Sequence, residues 1–195
     1  MAFGVMANTP QSQNTNFIKF TNFIMIKPVR GFTPQLGKNC FVAENATIVG
    51  DVILGDDCSV WFNAVIRGDV NSIRMGNKVN IQDGAVIHCT FEQSKTVVGN
   101  KVSIGHNAIL HGCQIGDNVL VGMGAIIMDH TVVESNVLIG AGAVVPERSH
   151  LESGFVYAGV PAKKLKPLTK ENFQQYIGRI ADNYLLYASW FKEEK

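Results

Sequence analysis

The 195-residue chain carries 17 Lys and Arg residues against 16 Asp and Glu residues, so its formal net charge is only +1. This balance gives no electrostatic reason to expect binding to nucleic acid or to a membrane surface. Hydrophobic residues make up 46% of the chain, yet no apolar run approaches the ~18 residues that a helix needs to span a bilayer.

The first 24 residues are rich in Asn, Thr and Gln and show no periodic pattern. A secretory signal has a basic segment ahead of an apolar one, whereas the first basic residue of this chain is Lys19. We therefore predict that residues 1–24 form a disordered extension.

An aliphatic residue then recurs every six residues, and a small or apolar residue usually follows it after four positions. An insertion after residue 70, a loop after residue 88 and one hexad that is a residue short interrupt the pattern. The recurring positions are Val42, Ile48, Leu54, Val60, Ile66, Met75, Ile81, Ile87, Val98, Ile104, Leu110, Ile115, Val121, Ile127, Val133, Ile139 and Val145.

A period of six matches neither a helix nor a hairpin sheet. It predicts one short strand and one corner per hexad, with three hexads closing a triangular coil and coils stacking through parallel strands about 4.8 Å apart. Junction pairs such as Gly55-Asp56 and Gly76-Asn77 favour left-handed backbone conformations. The pattern resembles the hexapeptide-repeat, left-handed β-helix families, and the resemblance implies the left hand. We predict an all-β prism over residues 25–168.

A C-terminal helix is predicted for residues 169–195. Thr169 is a suitable N-cap, and Glu171 in the first turn suits the helix dipole. One face of this helix is apolar, so we expect it to pack on the prism. The apolar residues are Phe173, Ile177, Ile180, Tyr184, Tyr187 or Ala188, and Phe191.

The repeat also places histidines on the prism. His88 and His111 each follow an aliphatic repeat residue, and three hexads, or one coil, separate them. They should therefore stack at one edge, where two imidazoles one ladder spacing apart can share a metal. Arg67 precedes them in the same column, and Met128 follows them.

His106 belongs to a different face of the prism. Its extended path to His111 is roughly 16 Å, which is too long for both residues to bind one zinc ion within a chain. In a threefold trimer, however, the His106 face of one subunit can meet the His88 and His111 edge of its neighbour. This arrangement gives three histidine ligands and an open fourth position, as in catalytic sites. His130 and His150 fit no such geometry.

Several motifs resemble the γ-class carbonic anhydrases and their close homologues. They are Arg67-Gly68-Asp69, Asn80-Ile81-Gln82-Asp83-Gly84, His88 and His106-x4-His111-Gly112. The resemblance implies a homotrimer without nucleic-acid or membrane partners. It also implies Zn²⁺, or alternatively Fe²⁺ or Co²⁺, held by His88, His111 and the neighbour's His106, where a metal-bound hydroxide hydrates CO₂ to bicarbonate.

The resemblance assigns roles to further residues. Gln82 would orient the hydroxide, with Asn80 supporting it or only shaping a corner. Arg67 and Asp69 would form an ion pair between subunits, with Arg67 meeting bicarbonate, and a purely structural role in the trimer is the alternative for both.

The chain departs from the best-known form of the family at two glutamates. Val70 and Phe91 occupy their positions, so efficient proton transfer is not assured. Glu92 could replace the second glutamate as proton carrier. Tyr184 or Tyr187 could reach the site, although core packing is the expected role of both.

The four cysteines are widely spaced and form no CxxC pair. This spacing favours a reducing compartment, here the cytoplasm. Cys58 and Cys113 are expected in the core. Cys89 adjoins a ligand, but its side chain should point away from that of His88.

Two other functions compete with the anhydrase. Many hexapeptide-repeat acyl- or acetyltransferases and thioesterases bind coenzyme A, and Lys163 and Lys164 in the YAGVPAKK segment could meet a phosphate. Such enzymes usually need one catalytic histidine, however, and not three at metal spacing. The missing glutamates also leave open a non-catalytic, metal-binding trimer.

Overall fold

The computed structural model describes residues 25–193, so the disorder predicted for residues 1–24 lies outside the described residues. The described part contains twenty strands followed by helical segments. The strands are β1 Met25–Lys27, β2 Gln35–Leu36, β3 Phe41–Val42, β4 Thr47–Leu54, β5 Ser59–Val60, β6 Val65–Met75, β7 Asn80–Ile81, β8 Val86–His88, β9 Thr96–Val98, β10 Ser103–Ile104, β11 Ile109–His111, β12 Gln114–Ile115, β13 Leu120–Val121, β14 Ile126–Ile127, β15 Val132–Val133, β16 Leu138–Ile139, β17 Val144–Val145, β18 His150–Leu151, β19 Phe155–Ala158 and β20 Lys163–Pro167.

These strands wind into a parallel β-helix with three faces. The first face carries β8, β11, β14 and β17, and the second carries β9, β12, β15 and β18. The long strands β4 and β6 belong to both faces, because each bends around the corner between them. The third face stacks β3, β5, β7, β10, β13, β16 and β19 in parallel, and β20 closes it in the antiparallel sense. The predicted β-helix is confirmed.

The interior is built from the six-residue repeat. On the first face, Ile66, Ile87 and Leu110 are fully buried, one above another. On the third face, Ile81 and Ile104 are followed after four positions by Ala85 and Ala108, which are also fully buried and fit their small side chains inside the corner. The hydrophobic effect therefore acts on every hexad alike and holds successive coils in register.

The corners differ in one respect from the sequence prediction. In the Gly55-Asp56 and Gly76-Asn77 pairs neither residue has a positive φ, which falls instead on the next residue, Asp57 or Lys78. Gly55 is needed for another reason, because a Cβ there would collide with the backbone of Gly76 in the next coil. The Asx side chains bond between coils, as when Asn77 Oδ1 accepts the N–H of Asp56 at 2.8 Å.

The helical segments are Lys170–Asn172, the π-helical segment Phe173–Gly178 and a longer helix, Arg179–Glu193, which we call α1. The predicted N-cap is confirmed, because the Thr169 hydroxyl accepts the N–H of Asn172 at 3.2 Å. The predicted packing on the prism is confirmed as well. Tyr184 and Phe191 of α1 lie against Trp61, with ring centroids 5.2 and 5.6 Å apart. Among residues 25–193, no helix is both long and apolar enough to cross a membrane.

Candidate functional site

Two histidines face each other on the first face of the prism. His88 and His111 end the paired strands β8 and β11 and are partners in the ladder. His88 Nδ1 lies 3.2 Å from His111 Nε2. Two nitrogen ligands at 2.0–2.1 Å from a tetrahedral zinc ion are about 3.4 Å apart. The predicted stacking is thus confirmed, and the spacing suits two neighbouring ligands of one metal.

Each of these imidazoles directs its other ring nitrogen at a carboxylate. His88 Nε2 lies 3.1 Å from Asp69 Oδ1, and His111 Nδ1 lies 2.6 Å from Asp129 Oδ2. A neutral imidazole has one N–H, and a carboxylate partner draws that hydrogen to its own side. In the tautomers that place each N–H on its carboxylate, the two nitrogens that face each other both carry lone pairs. Their opposed lone pairs call for a cation between them, so the donor set fits a divalent metal.

Charge and burial around His88 favour its neutral form. Burial lowers the pKa of His88, and the Arg67 guanidinium adds to this shift against the opposing effect of Asp69. For the carboxylate the balance is reversed. Burial acts to raise the pKa of Asp69, but hydrogen bonds from Arg67 and His88 outweigh it and keep that pKa below the ordinary value. A neutral imidazole beside an ionised carboxylate is the protonation pattern that a metal ligand requires.

His106 lies on the third face, just beyond β10. Its Nδ1 is 2.9 Å from Asp83 Oδ2, so Nε2 is the nitrogen left away from a carboxylate, as in His111, whereas in His88 it is Nδ1. Asp83 is its neighbour in the preceding coil, because Ile104 pairs with Ile81 and each of the two residues lies two positions further along the chain. Within one chain, residues 25–193 hold no group of three His, Cys, Asp or Glu side chains arranged for a metal ion. His106 thus stays on a separate face from His88 and His111.

Arg67 lies beside His88 in the column predicted from the repeat. Its Nη1 donates to Asp69 Oδ2 at 2.6 Å, and its Nη2 is 3.5 Å from His88 Nδ1. The resemblance implied an ion pair between subunits, whereas here both members belong to one chain. Because a guanidinium only donates hydrogen bonds, this contact also agrees with an unprotonated Nδ1 in His88.

A buried polar chain holds Gln82. The side chain is only 5% exposed, and its Nε2 donates to Asn80 Oδ1 at 3.0 Å. Asn80 in turn donates to Ser103 Oγ at 2.8 Å, so Asn80 does support Gln82. These bonds orient the amide. Gln82 and His106 line a cavity of about 640 Å³ between the third face and α1.

Tyr184 reaches this cavity from α1. Its hydroxyl lies 3.5 Å from His106 Nε2, while its ring packs against Trp61. Burial, helped by the negative charge of Asp83, raises the pKa of Tyr184 to about 12, so the hydroxyl is protonated. The sequence favoured a packing role, and the structure adds a polar contact with a candidate ligand. Tyr187 lines the same cavity.

The structure also places the other residues that the sequence singled out near the candidate ligands or in the core. Glu92 is exposed, with a φ of 54°, and within residues 25–193 it makes no hydrogen bond to a candidate histidine. Phe91 beside it packs under the Arg30 guanidinium, 5.4 Å from its ring centre. Cys89 is fully buried in the core, so its side chain points away from that of His88 as predicted. Cys58 and Cys113 are buried there too.

Sequence reasoning missed the carboxylates that face His106 and His111. Asp83 could have been found, because the register that pairs Ile81 with Ile104 also brings Asp83 beside His106. Asp129 had no such signal. It lies two positions after Ile127, the ladder partner of Leu110 and the last residue of β14, so its carboxylate comes from the corner beyond the strand.

Comparison with known proteins identifies the family. A profile described as bacterial transferase hexapeptide (six repeats) matches residues 33–68, 95–127 and 112–147. A probable carbonic anhydrase from Methanocaldococcus jannaschii is 51% identical over 154 residues, which cover 79% of this chain and 94% of that protein. A carbonic anhydrase from Geobacillus kaustophilus is 44% identical over 86% of this chain and 91% of its own.

Solved structures agree on the fold. A hexapeptide transferase family protein from Anaplasma phagocytophilum superposes with a TM-score of 0.81 at 39% identity, covering 86% of this chain and 98% of that one. A Bacillus cereus protein, provisionally described as an acetyltransferase, gives a TM-score of 0.86 at 35% identity over 90% and 100% of the two chains. With the identities above, the chain belongs to the γ-class carbonic anhydrase family of hexapeptide-repeat proteins.

Proposed function

We propose that this chain is a γ-class carbonic anhydrase-like enzyme, a metal-dependent homotrimer that interconverts CO₂ and bicarbonate. The observation that carries the proposal is the pair of facing nitrogens of His88 and His111, 3.2 Å apart, each imidazole having a carboxylate on its other nitrogen. The carbonic anhydrases at 44–51% identity support it independently.

The metal site is shared between subunits in this proposal. His88 and His111 of one chain and His106 of its neighbour hold Zn²⁺, with Fe²⁺ or Co²⁺ as alternatives, because imidazole nitrogen suits all three. When bound, such a cation supplies Lewis acidity that makes water a nucleophile near neutral pH. All three histidines direct one ring nitrogen at a carboxylate, which is the pattern of metal-ligating histidines.

The chain's own residues then bind and orient the reactants. The Arg67 guanidinium, held by Asp69 at 2.6 Å, attracts bicarbonate through its charge and planar donors. Gln82 presents an amide that Asn80 keeps in place, so it can hold the attacking oxygen in one orientation. Asp69 orients both Arg67 and His88.

Proton transfer to solvent completes the proposed reaction. Glu92 is the proposed carrier, and its exposed position suits exchange with solvent, although in the part of the chain that the structure describes it makes no hydrogen bond to the candidate histidines. Val70 and Phe91 stand where the best-known form of the family has glutamates, so we expect slow turnover. The cysteines, free within the described residues, favour a cytoplasmic location.

The proposal is tested on metal-loaded protein. Elemental analysis should find one metal ion per chain, and stopped-flow measurements should detect CO₂ hydration that a chelator removes and added metal restores. Stoichiometric metal without hydration would instead favour the non-catalytic trimer.

The coenzyme A alternative rests on the transferase names of the structural relatives. Lys164, one of its two candidate phosphate ligands, is already paired with Glu152 at 2.8 Å and lies over the Phe155 ring. This engagement weakens the alternative. Coenzyme A binding by a metal-free protein would revive it.

A substitution at Gln82 tests the reactant-orienting role. We expect Gln82→Ala to lower the rate of CO₂ hydration by about 10–100-fold, the usual loss for groups that orient a metal site, while the metal content stays unchanged. Gln175→Ala, on the exposed side of the helical segment, is the matched control and should keep the native rate. Equal rates in the two variants would exclude the role.

A further inference from the structure

Asp129 uses both carboxylate oxygens in short hydrogen bonds. Oδ2 accepts from His111 Nδ1 at 2.6 Å, while Oδ1 accepts from Ser94 Oγ at 2.5 Å and from Thr90 Oγ1 at 3.0 Å. Its side chain is only 19% exposed, against 41% for Asp83 beside His106. Of the carboxylates that face the three histidines, Asp129 is thus the most firmly held.

The two hydroxyls come from the loop that joins β8 to β9. Ser94 is 4% exposed, and its Oγ also accepts the N–H of Thr90 at 2.9 Å. Gly112, directly after His111, leaves the space for this contact, because a Cβ there would overlap both the Asp129 carboxylate and Ser94. We call Thr90, Ser94 and Asp129 the Asp129 clamp.

We propose that Asp129 is a positioning residue for His111, and that the loop hydroxyls of the clamp fix the direction in which its carboxylate points. The inference rests on the proposed metal site. A carboxylate on Nδ1 holds the proton there and leaves the Nε2 lone pair facing His88. The bond also makes the imidazole a more basic ligand.

An isosteric substitution separates positioning from packing. In Asp129→Asn, we expect the Ser94 and Thr90 hydroxyls to keep donating as they do to Oδ1 in the native chain, which holds the amide oxygen on their side. The amide NH₂ then faces His111 Nδ1 and, being a donor, shifts the imidazole proton to Nε2. A metal ion must then displace that proton, so it binds more weakly. A residue that only filled space would tolerate this change.

The experiment titrates metal-free, full-length protein with Zn²⁺ in competition with a chromophoric chelator. We expect Asp129→Asn and Asp129→Ala to bind Zn²⁺ about 10–100-fold more weakly than the native chain. The Thr90→Val/Ser94→Ala double variant should also lose affinity. Glu134→Gln is the matched control, because it alters an acid on His150 outside the site and should bind as the native chain does.

A second measurement needs no metal. Nitrogen NMR of His111 should show the proton on Nδ1 in the native chain and on Nε2 in Asp129→Asn. This measurement tests the positioning role of Asp129 even if Asp129→Ala fails to assemble. Native affinity and an unchanged tautomer in Asp129→Asn would overturn this inference and leave the proposed function standing. If the native chain binds no metal at all, both are wrong.

Discussion

Mixed trimers of two inactive variants will regain about a quarter of their metal sites. His106→Ala and His111→Ala should each bind no metal as pure proteins, because each removes one of three ligands from every site. In a hybrid trimer, a site is intact where a His111→Ala chain supplies His106 to a neighbour that carries His106→Ala. Random assembly of equal amounts gives that arrangement at about one interface in four.

The measurement is metal content after the two chains are co-expressed, or unfolded together and refolded. A mixture of His88→Ala and His111→Ala is the control. Both substitutions remove a ligand from the same edge of the prism. No chain in this mixture keeps both His88 and His111, so no site should return. Metal retained by pure His106→Ala, or no recovery in the first mixture, would show that the site is not shared between subunits.

Trp61→Ala will remove about 3–5 kcal/mol from the free energy of unfolding, the usual cost of truncating a buried tryptophan. Trp61 is 6% exposed and joins the prism to the C-terminal helix. Its ring centroid lies 5.0 Å from Phe41 and 5.2 Å from Tyr184. The substitution opens a cavity at that joint, and we expect it also to release Tyr184 from its place beside His106.

Trp190→Ala is the matched control. Trp190 lies on α1 but is 53% exposed. Its ring packs against Tyr187 of the same helix, with ring centroids 5.1 Å apart. We expect a loss within about 0.5 kcal/mol, as for other surface substitutions. Denaturant unfolding measures the loss in the free energy of unfolding for both variants. The protein concentration is kept the same, because the stability of an oligomer depends on it. Equal losses would mean that the helix is not anchored through Trp61.

The prism and its histidine column were predictable because a parallel β-helix repeats one local rule. Each hexad buries its own aliphatic residue, so counting in sixes led directly to the buried Ile87 and Leu110. The residues after them, His88 and His111, then had to stack. The same counting assigned His106 to another face. No distant contact was needed for these predictions, because coil-to-coil register follows from the repeat itself.

Tertiary structure decided what the repeat leaves free. The loop after β8 follows no six-residue rule, yet its hydroxyls hold Asp129, whose carboxylate lies 2.6 Å from His111 Nδ1. The docking of α1 likewise brought Tyr184 within 3.5 Å of His106, although 78 residues separate them in sequence. Thus the sequence alone determined which backbone positions the candidate ligands occupy. Hydrogen bonds from the loop and the helix, which depend on long-range packing, decided which polar groups surround their side chains.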